Sequence, residues 1–193
     1  MRKIKLQMQT SVDGFVCGPN GELDWTVWNW DEELKNYVKE LMASADSFIA
    51  GRVLYEGMST YWPAAETNPE SSEDDKAAAR NFNTMTKHVF SKTLTHADWN
   101  NTIIESGDLV ETVNRLKNQD GGDFMLYGGA GLVSSFIQNN LIDEYHLFLN
   151  PSAIGKGKPI FGDLTEKFGL ELVRSKACSC GIVVLHYAPA KQS

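Results

Sequence analysis

Cysteine is scarce in this chain, with three in 193 residues, at positions 17, 178 and 180. So sparse and odd a set builds no disulfide framework, and free thiols in a reducing compartment are expected. Cys178 and Cys180 share a face if they lie in a strand, but a metal site needs more ligands, and the four histidines are dispersed. No apolar run approaches the roughly 18 residues that span a bilayer. The first ten residues, MRKIKLQMQT, start basic but lack an apolar stretch. No secretory leader is therefore expected, and the expected location is cytoplasmic. Positive charge is also in deficit: 18 Lys and Arg against 25 Asp and Glu give a net charge of −7. That argues against a nucleic-acid binder, which carries a basic face. It leaves room for an anionic ligand held by a few backbone N–H groups and one Arg.

What is present is a chain long enough for one domain, residues 1–193, and apolar enough, at 42%, to bury a sizeable core. Ile4, Leu6 and Met8 alternate with polar residues, the period of a strand. Leu34, Tyr37, Val38, Leu41 and Met42 form a helical stripe, with Asp31, Glu32 and Glu33 placed to complement the helix dipole. SFIAG reads as a buried strand and VLYEGMSTYW as a short helix. Residues 63–76 are acidic and Pro-bearing and read as an exposed, mobile segment. KHVFSKTL and NTIIES contain further strands, Asp108 opens an amphipathic helix, and DEYHLFLNP is another strand. The chain closes on a hairpin turning at Ser179 to Gly181. Alternation of strands and helices followed by a hairpin predicts an α/β fold with a mainly parallel sheet and an antiparallel edge.

The stretch that carries most chemistry is FMLYGGAGLVSSFIQNNL. An apolar strand, Phe124 to Tyr127, meets Gly128, Gly129, Ala130 and Gly131, and a helical pattern follows from Leu132. Such a junction lets backbone N–H groups approach a phosphate, and the helix start adds partial positive charge. A tight turn with close helix–sheet packing is the other reading. Arg52 has a guanidinium fork suited to phosphate, and also a potential partner in Glu56 four residues on.

SVDGFVCGPNGELDW, AGRVLYEGM, FMLYGGAGLVSSFI and LIDEYHLFLNPSAIGKGKPIF, in this order, resemble the dihydrofolate reductase-like superfamily. The closer resemblance is to its riboflavin biosynthesis reductase branch, the RibD C-terminal domain. It implies a three-layer fold with about eight strands, and NADPH as hydride donor. Gly51 and Arg52 match the family's Gly-Arg pair, where the Arg reads cofactor phosphate; Leu54 stands where the family often has Thr. Ser91 and Lys92 match the strand end that contacts the adenosine ribose and its 2′-phosphate. Gly128 and Gly129, with Ala130 and Gly131, match the pyrophosphate junction. Asp13 and Gly14 open the loop over the nicotinamide, where Val16 packs on the ring. Gly155, Lys156, Gly157 and Pro159 resemble the branch's GxGxP loop. A homodimer is implied as well.

On the substrate side, a carboxylate suits a ring with adjacent N–H donors, because it accepts two hydrogen bonds. Asp24 is the candidate catalytic acid, with an N-cap as its other reading. Asp13, Trp25 and Tyr55 are candidate substrate contacts. Trp25, Trp28 and Trp30 suit stacking on a flat heteroaromatic ring, or a core, or a dimer interface. The expectation is an NADPH-dependent reductase of a small heteroaromatic molecule, without nucleic-acid or membrane partners. A non-catalytic nucleotide-binding or oligomerising module, or a dihydrofolate or pterin reductase, are the alternatives.

Overall fold

The computed structural model describes residues 1–190. The order is β1 (Ile4–Thr10), α1 (Glu32–Met42), β2 (Ala45–Gly51), α2 (Arg52–Thr67), α3 (Glu73–Thr84), β3 (Thr86–Phe90) and β4 (Thr102–Glu105). Then follow α4 (Leu109–Lys117), β5 (Asp123–Gly128), α5 (Ala130–Gln138), β6 (Glu144–Leu149), β7 (Leu170–Ala177) and β8 (Val183–Pro189). The strands form one sheet in the order β4-β3-β2-β5-β1-β6-β8-β7. The first six are parallel, and β8 runs against both β6 and β7.

The period-two pattern of β1 sets the two faces. Ile4, Leu6 and Met8 pack with Val113 and Leu116 of α4 and Val133, Phe136 and Ile137 of α5. The opposite face, with Phe48, Met125 and Phe148, packs under Leu34, Tyr37 and Leu41 of α1, Tyr55 of α2 and Phe82 of α3. Helices on both faces make the three layers. The α1 stripe points inward as its spacing predicts, and Asp31 caps it by accepting from Leu34 N. Among the described residues, no helix is long and apolar enough to cross a membrane.

Segment 63–76 differs from the irregular reading. Helix α2 continues through Pro63 to Thr67, and α3 starts at Glu73 with Ser72 as its side-chain cap. Proline lacks a helical donor, so the sequence predicts a stop before it. Packing overrides that signal: Trp62 stacks on Phe82 of α3 at 4.5 Å, and Ala65 is buried.

Lys87 is wholly buried at the start of β3. Its Nζ donates to the carbonyls of Asn83 and Met85 at 2.9 and 2.7 Å and lies 4.4 Å from the Trp99 ring centre. Burial pushes its ammonium down to about 8.

Candidate functional site

Parallel pairing brings the C-terminal ends of β1 to β6 to one edge of the sheet. Between β2 and β5 the chain leaves in opposite directions, toward β3 after β2 and across β1 to β6 after β5. In open α/β sheets such a divergence leaves a crevice that holds ligands.

Gly51 ends β2 and Gly128 ends β5, and the two strands pair through Ala50 and Gly128. A Cβ built on Gly51 stands 3.7 Å from Gly128 O and 3.8 Å from Gly129 N. Helices α2 and α5 therefore begin side by side. Asp31, Ser72 and Asp108 cap α1, α3 and α4 with their side chains, whereas Gly51 and Gly129 provide no such cap. Two sets of helix-start N–H groups and two positive dipole ends thus meet at the crevice. Gly128 has φ +109°, a conformation that favours glycine, and its peptide bond to Gly129 is cis. A Cβ on Gly129 or Gly131 meets nothing within 4 Å. Ala130 opens α5, two residues earlier than the apolar pattern predicts.

Arg52 is exposed and holds Glu56 at 2.8 and 3.1 Å. Its partner is thus the local one, at the first residue of α2. Leu54 packs against the α1–α3 core. Beyond β2, Ser91 follows β3 and accepts from Thr93 N and Leu94 N at 3.2 and 2.9 Å. Its hydroxyl shapes that loop, with Lys92 exposed beside it.

Two loops cover the same edge on the β1–β6 side, and they are bonded together. Val12 N donates to Ser152 O, Val16 N to Lys158 O and Lys158 N to Cys17 O. Asp13 accepts from Ile154 N and Gly155 N, at 3.1 and 2.7 Å to its Oδ2. The Ser11 hydroxyl and these amides hold its carboxyl below the usual range. Asp13 is therefore a clasp between loops, and its carboxylate, read from sequence as a substrate contact, is already committed. Gly157 lies so close to Cys17 O that a Cβ there would collide with it. Buried Asn150 fixes the next turn, accepting from Val27 N at 2.8 Å.

These loops frame a cleft of about 440 Å³ lined by Asp24, Trp25, Glu22, Pro19, Ile154 and Lys156. Asp24 lies seven residues before the α1 cap, so its alternative reading as an N-cap falls away. Trp25 is half-buried, with Nε1 donating to Glu22 O. Of the three indoles only Trp25 lines the cleft: Trp30 packs on Phe148 at 6.1 Å, and the largely exposed Trp28 stacks on Trp30 at 6.4 Å.

Two further sequence expectations are corrected. Tyr55 is 4% exposed inside the α1–α3 core, and its hydroxyl accepts from Trp99 N at 3.3 Å, so it is no substrate wall. Its helical position points it at the sheet instead of the cleft. Val16 is 5% exposed and packs into the α4–α5 core, so it does not stand free for a ring. Sequence reasoning missed Glu22 and Pro19, whose only signal was the turn GPNGE. It also missed Asn150, whose signal was an Asn-Pro at a strand end.

The sequence model of the family described as the RibD C-terminal domain matches residues 2–184. This chain belongs to the RibD C-terminal domain family. The RibD-like match spans all the elements that build the crevice. The chain is 32% identical over 186 residues to the uncharacterized protein YyaP of Bacillus subtilis (strain 168), covering 96% of this chain and 94% of that one. It is similar in structure to a putative riboflavin biosynthesis protein from Shewanella sp. PV-4, with TM-score 0.73, 22% identity, and 99% and 100% of the two chains covered. It also resembles a diaminohydroxyphosphoribosylaminopyrimidine deaminase/5-amino-6-(5-phosphoribosylamino)uracil reductase from Thermotoga maritima. That match has TM-score 0.66 and 14% identity, and covers 98% of this chain and 57% of that one. These neighbours share the dihydrofolate reductase-like fold.

Proposed function

We propose that this protein is an NADPH-dependent reductase of a small heteroaromatic substrate, in the manner of the aminouracil reductase named for the Thermotoga neighbour. The observation that carries the proposal is the meeting of two uncapped helix starts at Gly51 and Gly128–Gly129. Their N–H groups suit a pyrophosphate, and the absent side chains leave room for it. Arg52 would exchange Glu56 for a phosphate oxygen pair. Ser91 and Lys92, one strand further, would take the ribose and its 2′-phosphate.

NADPH supplies the hydride, and the chain supplies position and charge. Trp25 offers a flat apolar face for a heteroaromatic ring. Asp24 accepts two ring or amino N–H groups, which fixes the ring's orientation. Lys156, which lines the same cleft, attracts an anionic substituent. The cleft is open to water, which delivers the proton that balances the hydride. A homodimer belongs to the same reading: the edge strand β7 leaves Leu172 and Val173 uncovered, and light scattering measures the assembly.

Energy transfer from the tryptophans to NADPH tests the binding half. No binding of NADPH or NADP at millimolar concentration would refute the reductase. NADPH consumption with ribosylated aminopyrimidines, pterins and quinones tests the chemistry. Binding without consumption across that panel would make the protein a nucleotide-binding module on a reductase fold.

A further inference from the structure

At the other edge of the sheet, under α1, lies a second cluster of polar groups. Glu144 opens β6 opposite Lys5 of β1, and His146 pairs in register with His186 of β8. Glu144, His146 and His186 each bring one ligand atom within 4.8 Å of the others. Glu144 Oε2 is 3.3 Å from His146 Nε2 and 3.8 Å from His186 Nε2. Donors around a tetrahedral zinc ion, bonded at about 2.0–2.1 Å, stand roughly 3.3–3.4 Å apart. The trio thus lies within a few tenths of an ångström of that spacing on the edges that meet at Glu144.

The surroundings assign each donor. The Tyr37 hydroxyl is 2.6 Å from His146 Nδ1, which orients the ring and leaves Nε2 facing Glu144. Ligating histidines need such an outer partner. Lys3 Nζ donates to Glu144 Oε1 at 2.8 Å, leaving Oε2 for the histidines. His186 Nε2 is buried and has no hydrogen-bond partner in the described residues. The three residues open on a cavity of about 210 Å³, also lined by Lys5, Glu40 and Arg174.

We propose that Glu144, His146 and His186 bind one divalent transition-metal ion of the zinc or nickel type. Two imidazoles and a carboxylate match that class, and the cavity leaves a fourth position for water. The imidazole rings stack at 4.1 Å with planes 22° apart. Sharing the ion requires the His186 ring, whose Nε2 is unpartnered, to turn about its χ2 out of this stack. Lys3, Lys5 and Arg174 oppose the added charge, so binding is weaker than at a structural zinc site. The ion ties β6 to β8 and, through Tyr37, to α1.

The test is calorimetric titration of tag-free, chelator-treated full-length protein with Zn²⁺ and Ni²⁺, with Co²⁺ absorption reporting the coordination. One ion per chain is expected, with a rise in melting temperature and at least tenfold weaker binding at about pH 5.5 than at about pH 7.5, as protons compete for the imidazoles. His186→Ala should lower affinity at least tenfold, and Glu144→Gln should do the same if the first variant folds poorly. A double change of Cys178 and Cys180 to Ser should leave binding intact. No saturable binding, or binding that neither variant weakens, overturns the proposal. So does stabilisation by inorganic phosphate but not by metal, which would make the cavity an anion site.

Discussion

Alanine at position 51 adds one methyl group to the floor of the crevice. The new Cβ would stand 3.7 Å from Gly128 O, 3.8 Å from Gly129 N and 3.8 Å from Leu132 Cβ, all ordinary contacts. The backbone there has φ −83°, which alanine adopts freely. Losing glycine at a helix N-cap costs about 0.5–1 kcal/mol. The stiffer unfolded chain returns about 0.4–1 kcal/mol. Net stability should therefore change by less than about 1 kcal/mol, a shift under about 4 °C for a chain of this size. Binding should respond differently, because the methyl occupies the gap between the two helix starts. A tenfold loss of NADPH affinity, about 1.4 kcal/mol, is the minimum expected. Gly128→Ala provides the contrast: φ is +109° and the Cβ lies 3.2 Å from Met8 Cε. The forced conformation should cost about 1–3 kcal/mol of stability. Thermal melts and tryptophan-to-NADPH energy transfer on both variants separate the two effects. If Gly51→Ala keeps its melting temperature and binds NADPH as tightly as the parent, the crevice is not the phosphate site.

Arg52→Ala should weaken NADPH more than NADH if the guanidinium reads the 2′-phosphate, whereas equal loss in fluorescence titrations places it on the pyrophosphate. Asp24→Asn should lower kcat/KM at least tenfold with little change in NADPH affinity, and unchanged steady-state kinetics would remove Asp24 from the substrate site. Burial holds Lys87 at about 8 in the folded protein against the usual 10.5, so the unfolded chain keeps its proton to higher pH. The Lys87 contribution therefore makes stability rise between about pH 8 and 10.5, by at most about 3 kcal/mol. Urea melts across that window should show the rise in the parent relative to Lys87→Met, and identical slopes would refute it. Ser72→Ala should cost about 1 kcal/mol by removing the α3 cap, read as earlier urea unfolding.

The mainly parallel sheet and most of the element order were legible because strand and helix periods are distinct along β1, α1, β2, α4 and β5, whereas α3 was hidden by the acidic, Pro-bearing stretch that precedes it. Gly51 and Gly128 were legible for a related reason: glycine at a strand-to-helix junction is a local signal. What sequence could not convey is direction. Tyr55 and Val16 sit beside site residues in the chain, yet the turn of α2 and the bend of the β1 loop aim both at the core. Asp13 read as a candidate substrate contact because its partners, Ile154 and Gly155, lie some 140 residues away. The His146–His186 pair was unreadable for the same reason, since only the antiparallel register of β6 and β8 places them together. Pro63 misled in the other direction, its local stop signal overruled by Trp62 on Phe82.

The clasped loops limit how this cleft can be redesigned. Residues 11–17 and 152–158 form a single wall, joined by the Asp13 carboxylate and by main-chain bonds to Ser152 and Lys158. Grafting a foreign segment into either loop alone would strand donors and acceptors on the other and crowd the Cys17–Gly157 contact. A graft that carries both loops keeps those bonds internal, so specificity in this scaffold is exchanged as a two-loop cassette.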